Sequence, residues 1–524
     1  MKTDRRDFFR LLGGTIALLS GGTSSASTEE GPLGIHRATR NTLLGAVGVR
    51  LARLGGSPSS FKRYPGFERL PLPAFDSKPA LPLPEAVATA AGPERFEAKS
   101  ISLSQLSRIL HFTNGVTTGI ESPSSASLLR AAPSAGALYA GEVYVVAERV
   151  RGLAPGVYYY AVKEHELVAV RPGSRLEDVV GAVTWPGEIE GAAAAILLTN
   201  VFERYSWRYA NRGYRFALID SGHIGENLRL AAASADLGWK RTLRFEDDAL
   251  NALLEVDGRQ EAVCAVHAIG PRTGAGAVSP RRMRPLIEKV ELAPEKLPRS
   301  GPIPARFHEA TKLVPAPSRG DREVPPVSER PAMGPVIALP RLSPPPEASV
   351  ERTIGERRSA TFFRETPVRL EQLAFALEMA QDPGAFERSI GVELFVAANR
   401  VEGIAPGFYQ YRPGQREIAQ VRRGDLRADV IRACLRQKKA GKAAVASFMV
   451  GRIADASARW GRRSYRQLLI ESGEIAQRIY LAAEAMGLAA RNLSAFYDDE
   501  LNDLLGFDGQ REAVLHLTVF GSGQ

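Results

Sequence analysis

The 524 residues, 44% hydrophobic and 24% charged, are too many for one hydrophobic core, so two domains with linkers are expected. The net charge of +10 comes from Arg and Lys interleaved with acids, without long runs of one sign, and this pattern argues against a nucleic-acid-binding patch. Cys264 and Cys434 have no CxxC or CxxH neighbour and the histidines show no HExxH spacing, which leaves no structural metal site and makes both cysteines small buried residues.

Along the chain, Asp4-Arg5-Arg6-Asp7-Phe8-Phe9-Arg10 precedes a weakly apolar run, Leu11 to Leu19, and the small residues Ser24 to Ser27. Residues 1–30 therefore resemble a twin-arginine export signal, which implies a periplasmic protein carried across the membrane already folded. The run is too short to span a bilayer, so no stable membrane insertion is expected once the signal is removed. Residues 31–99 form an N-terminal extension.

A repeat organises the rest. Val150-Arg-Gly-Leu-Ala-Pro-Gly-Val-Tyr-Tyr-Tyr160 returns as Val401-Glu-Gly-Ile-Ala-Pro-Gly-Phe-Tyr-Gln-Tyr411, a displacement of 251 residues. The same displacement relates Tyr214-Arg215 and Ser221-Gly222 to Tyr465-Arg466 and Ser472-Gly473, and Asp257-Gly258 to Asp508-Gly509. Each copy, 100–290 and 351–524, reads as an amphipathic helix (Leu103 to Leu110; Leu370 to Leu377), strands, a long helix apolar on nearly all sides (Tyr214 to Asp236; Tyr465 to Met486) and a closing strand. This predicts an α+β fold. Residues 291–350, dense in proline (Pro315, Pro317, Pro325, Pro326, Pro344 to Pro346), read as an extended, semi-rigid linker.

The segment Arg130-Ala-Ala-Pro133-Ser134-Ala135-Gly136-Ala137-Leu138-Tyr139, with Glu142-Val-Tyr-Val-Val, Trp207-Arg-Tyr209 and Ser221-Gly222-His223 behind it, resembles the SagB-type dehydrogenase branch of the nitroreductase superfamily. The resemblance covers nearly all of residues 100–270 and, less fully, 354–524. It implies two tandem nitroreductase-like sandwiches forming an intramolecular pseudo-dimer, with FMN at their junction. In the superfamily one subunit grips the phosphate through an Arg-x-Ser segment and the other presents the Pro-Ser segment to the flavin. Here Glu356-Arg357-Arg358-Ser359 supplies the guanidinium and hydroxyl suited to a phosphate, and the small Ser134, Ala135 and Gly136 permit close backbone approach to a flat ring. Both segments also have plainer readings, a helix cap and a structural turn.

The copies do not keep the same parts. Ala90-Ala91-Gly92 stands where the first copy should carry the phosphate grip, and the second copy is shorter by 16 residues where Pro-Ser-Ala-Gly should sit. One composite site follows, with Arg357, Arg358 and Ser359 facing Arg130, Pro133, Ser134, Ala135 and Gly136, lined by Leu488 and Arg491. Azoline-oxidising relatives carry a Lys-Tyr pair as base; here it is Arg208-Tyr209, and Arg does not deprotonate, which leaves Tyr209 as the candidate proton donor. His223 and Trp207 read as core residues. The expected activity is FMN-dependent oxidoreduction by hydride transfer through flavin N5, on a small-molecule or peptide substrate with an unspecified electron partner. The alternatives are a vestigial, flavin-free ligand- or peptide-binding scaffold and an azoline-type peptide heterocycle dehydrogenase.

Overall fold

In a computed structural model of the chain, each copy folds into a seven-stranded antiparallel sheet flanked by helices. The structure describes residues 32–42, 58–75, 81–89, 95–122, 125–272, 303–313, 330–341, 348–381 and 389–524. The residues read as an export signal, the Ala90-Ala91-Gly92 position and the prolines cited for the linker lie outside them.

The first sheet contains β1 (Arg69–Pro71), β2 (Gly141–Ala147), β3 (Gly156–Ala161), β4 (Glu166–Pro172), β5 (Ala194–Val201), β6 (Gly238–Thr242) and β7 (Glu261–Gly270), ordered β1-β4-β3-β2-β5-β7-β6. The second contains β8 (Val336–Ala338), β9 (Val392–Ala398), β10 (Gly407–Arg412), β11 (Glu417–Arg423), β12 (Val445–Arg452), β13 (Ala489–Asn492) and β14 (Glu512–Gly521), ordered β8-β11-β10-β9-β12-β14-β13. The topologies are identical, down to a bulge at Cys264 in β7 and at the equivalent Leu515 in β14. The central strands are runs of Val, Ile, Leu, Ala and aromatic residues buried along their length, because helices cover one face and loops and short helices the other.

The helices begin where the chain offers caps. Among the described helices, α1 (Pro32–Ala38) and α2 (Leu83–Thr89) precede α3 (Leu103–Asn114). At the start of α3, Ser102 Oγ accepts the Gln105 N–H at 3.1 Å and Gln105 Oε1 accepts the Ser102 N–H at 2.9 Å. Then come α4 (Phe202–Tyr209), α5 (Gly213–Ser234), α6 (Ile303–Ala310), α7 (Val350–Glu356), α8 (Leu370–Ala380) and α9 (Ser464–Ala485). Every residue from Gly213 to Ala233 in α5 and from Ser464 to Ala483 in α9 is buried.

These two central helices cross at a pair of glycines. A Cβ on Gly222 would run into the Ile470 carbonyl, and one on Gly473 would run into the Ile219 carbonyl, so the contact is reciprocal and marks an internal two-fold axis. The backbones come this close only because both side chains are hydrogen.

The stretch between the copies, expected to be an extended linker, carries α6 and the edge strand β8. These match α1 and β1 of the N-terminal extension. The sequences agree too: Pro32-Leu-Gly-Ile-His-Arg-Ala-Thr39 and Pro304-Ala-Arg-Phe-His-Glu-Ala-Thr311. Both segments are therefore arms of the repeat. Each arm helix lies on the opposite half, α1 against α9 and α6 against α4 and α5. Each is pinned by a buried arginine. Arg215 donates to Thr39 Oγ1 (2.7 Å) and the His36 carbonyl (2.7 Å) and pairs with Asp498 (2.7 Å). Arg466 donates to Thr311 Oγ1 (2.6 Å) and the His308 carbonyl, and pairs with Asp247 (2.5 Å).

Two outcomes test this packing. Gly222→Ala should lower unfolding stability by about 1–3 kcal/mol in urea, since a backbone carbonyl cannot yield as a side chain can. Gly181→Ala, a helical position with open space around it, should be neutral or slightly stabilising. The second outcome concerns acid. Burial lowers the pKa of all seven histidines, to about 4 for His111 and about 3 for His267, His308 and His516. The unfolded chain takes up these protons near pH 6.5 and the folded chain does not, so stability falls as pH drops from 7 to 5. Burial raises Asp220, Glu393 and Glu471 to about 7 and raises Glu484, which opposes the trend with fewer groups. The urea midpoint should be lower at pH 5 than at pH 7.5; an equal or higher midpoint would contradict it.

Candidate functional site

The first-half segment begins where a short hairpin strand ends at Arg130 and the chain turns towards β2. Gly136, Ala137 and Tyr139 have φ of +65°, +54° and +48°, and the two non-glycine residues each cost about 1–3 kcal/mol in that conformation. The loop is held in it by its neighbours. Ser134 Oγ accepts the Tyr139 N–H (2.8 Å), Arg204 donates to the Tyr139 carbonyl (2.6 Å), and the Ala135 N–H donates to Asp220 (3.3 Å). At Gly136 a Cβ would lie 2.5 Å from the Tyr209 hydroxyl and 3.1 Å from Arg208 Nη1, so the end of α4 presses against the loop.

The second-half segment leaves α7 at Arg357. Its guanidinium is buried, donates from Nε to the Ala131 carbonyl and from Nη2 to the Arg130 carbonyl, both at 3.3 Å, and lies 5.3 Å from the centre of the Tyr480 ring. Burial holds its pKa below the usual guanidinium value, yet arginine keeps its charge. Arg358 Nη1 donates to the Gly355 carbonyl at the end of α7 (2.8 Å). Ser359 bridges to Ala490 of β13, and its hydroxyl is 3.0 Å from Tyr480 Oη. Arg491 donates to the Ala360 carbonyl (2.8 Å), and Leu488 lies half-buried just before β13.

A polar chain closes the seam behind these residues. Tyr480 Oη accepts the Asn492 N–H (2.9 Å), Asn492 Nδ2 lies 2.8 Å from His223 Nε2, and Asn492 Oδ1 accepts from Thr518 (2.7 Å). His223 comes from α5 of the first half and Tyr480 from α9 of the second. Thus the segments expected to form one composite site adjoin, linked through Arg357.

Some placements differ from the sequence reading. The Arg130 guanidinium is committed elsewhere: it donates to the Ser60 carbonyl (2.6 Å) and packs on the rings of Phe61 and Tyr139, clamping the N-terminal arm. Ser359 caps no helix, since Ser349 caps α7 and α8 starts at Leu370. Trp207 is half-buried at the core edge, whereas His223 is the hydrogen-bonded core residue expected, its partner Asn492 lying across the seam. Leu488 precedes the edge strand β13 and Arg491 lies within it. Tyr480, Asn492, Asp220 and Tyr205 were not anticipated.

The place related by the internal two-fold is built differently. There the repeat puts Arg229 for Tyr480, Glu474 for His223 and Arg241 for Asn492. Arg229 pairs with Glu226 (2.5 Å), Arg478 pairs with Glu226 (3.3 Å), and Arg241 pairs with Glu474. Burial alone would raise Glu226, but Arg229 and Arg478 hold it below the usual carboxylate value. This place is occupied by ion pairs. Removing the shared acid by Glu226→Ala strands two buried arginines and should cost about 3–5 kcal/mol in urea unfolding.

The chain matches the Nitroreductase family over residues 95–270 and 354–522. It is 27% identical over 178 residues to a protein described as a nitroreductase in Methanocaldococcus jannaschii, covering 32% of this chain and 88% of that one. It is 29% identical over 163 residues to the trifolitoxin-processing protein TfxB of Rhizobium leguminosarum bv. trifolii, covering 30% of this chain and 44% of that one. A crystal structure from Anabaena variabilis, also described as a nitroreductase, has the same fold with a TM-score of 0.73 at 24% identity, covering 94% of this chain and all of that one. Both halves of the chain carry the match, and the protein belongs to the nitroreductase family as a tandem, intramolecular pseudo-dimer.

Proposed function

We propose that the protein is an FMN-dependent oxidoreductase with one flavin per chain, held where Arg357 reaches the Arg130–Ala131 backbone. That contact carries the reading, because it brings a cationic, hydroxyl-bearing segment of one half against the backbone that leads into the glycine loop of the other. The donor set suits the cofactor. Arg357, Arg358, Ser359 and Arg491 offer positive charge and a hydroxyl to a phosphate. Ser134, Ala135 and Gly136 offer small side chains and backbone to a planar ring, with the Tyr209 hydroxyl and Arg208 already against Gly136. Bound FMN supplies hydride transfer through N5 between an electron donor and an acceptor.

The chain's own residues would do the rest. Tyr209, against Gly136, offers a hydroxyl at the loop, and Arg208 beside it cannot act as a base. The relative named for trifolitoxin processing keeps a peptide among the candidate substrates beside small molecules. Arg208 in place of the lysine found in azoline-oxidising members argues against that chemistry. The sequence of residues 1–30 supports export by the twin-arginine route to the periplasm as part of the same proposal.

Protein expressed with riboflavin and purified should be yellow, with extracted FMN near one per chain. Arg357→Ala should lose most of the flavin, and Glu226→Ala should keep it. No flavin in the native protein would favour the scaffold reading, and two per chain would refute the asymmetric site.

A further inference from the structure

Under the Pro133–Tyr139 loop three side chains form a continuous hydrogen-bonded line. Ser134 Oγ lies 2.6 Å from the Tyr205 hydroxyl, and Tyr205 donates to Asp220. Tyr205 is fully buried, Asp220 is 5% exposed, and Ser134 is half-buried, so the line runs from the interior to the loop. The helix α4 supplies Tyr205 and α5 supplies Asp220.

The other half shows which part of this arrangement is structural. Glu471 stands at the position of Asp220 and accepts the Ile390 N–H at 3.1 Å, as Asp220 accepts the Ala135 N–H. Holding the segment that leads into the central sheet is therefore common to both acids. The hydroxyls are not common: Ala456 replaces Tyr205, and the second half is shortened where Ser134 would stand. A complete line exists only beside the retained loop.

We propose that Asp220, Tyr205 and Ser134 form a proton relay that supplies the proton accompanying each reduction to a substrate at this loop, a role resting on the FMN reading above. The substrate class is an acceptor whose reduction leaves an anionic oxygen or nitrogen, such as a quinone. Tyr205 donates to the ionised Asp220; once Asp220 is protonated the line runs the other way, the carboxyl O–H donating to Tyr205 and the Tyr205 O–H to Ser134. The Ser134 O–H bond then breaks as the product O–H or N–H bond forms, Ser134 takes the Tyr205 proton, and Tyr205 takes the carboxyl proton of Asp220. The two electrons come from the reductant of the proposed activity, none passes along the relay, and solvent returns a proton to the Asp220 carboxylate.

The electrostatics fit a carboxyl that holds a proton near neutrality. Burial raises Asp220 to about 7, while hydrogen bonds from Tyr205, Ser134 and the Ala135 N–H pull it back. Tyr139 of the loop faces Asp220, and Tyr209 of α4 faces Tyr205. Among the described residues no cation, on α9 or elsewhere, acts on Asp220. The relay is loaded below about pH 7 and empties above it.

The test uses the full chain. Because Glu393 and Glu471 also hold protons near pH 7, the reading is a difference: the infrared spectrum of the native protein minus that of Asp220→Asn should show a protonated-carboxyl band at pH 6 that fades through pH 7. After dithionite reduction, reoxidation by p-benzoquinone should slow above pH 7 in the native protein. In Asp220→Asn and Tyr205→Phe it should be about 10²-fold slower and independent of pH, with flavin content retained. No band in that difference, or a native pH profile in Tyr205→Phe, overturns the relay and leaves Asp220 a loop anchor like Glu471. A flavin-free protein overturns the FMN reading instead, and the infrared titration still measures the carboxyl.

Discussion

The architecture depends on the contact between Gly222 and Gly473. Two wholly buried helices can bring their backbones together only where neither carries a side chain, and that contact sets the axis about which the halves are arranged. The spacing fixes what can face what across the seam. Residues flanking the glycines, His223 and Glu226 on α5 and Glu474 and Gln477 on α9, necessarily meet the opposite half. The central helices are thus both the core of the fold and the back wall of two equivalent places.

On this symmetric frame the chemistry is asymmetric. One place holds His223, Asn492, Tyr480 and Ser359, a neutral hydrogen-bonded set with Arg357 above it. The other holds arginines and glutamates paired with one another. Buried charges must be paired, and once paired they fill the space and satisfy the donors that a ligand would use. A homodimer cannot differ between its two sites in this way, because one sequence serves both. Duplication within one chain removes that restriction.

Much of this was legible in the sequence. The displacement of 251 residues is carried by Pro-Gly turns and by Ser-Gly pairs on the helices, positions where backbone geometry restricts the residue, so both copies kept them. That the Arg357 segment and the Arg130 segment adjoin followed from comparing which copy lacked which segment. The rest failed for physical reasons. Tyr480, Asn492, Asp220 and Tyr205 lie within apolar runs or beside them, where a single polar residue gives no periodic signal. The arms were hidden because their shared Pro-x-x-x-His-x-Ala-Thr pattern is displaced by 272 residues and lies among prolines that suggest a linker. Arg130 was assigned by its neighbours in sequence, whereas its guanidinium follows Phe61 and Ser60, some 70 residues earlier.

The most direct test of the central claim is a crystal structure of the purified yellow protein. The account predicts flavin density between Arg357 and Gly136, with the Arg229–Glu226–Arg478 place filled by its ion pairs. Flavin at that second place, or at both places, would contradict it.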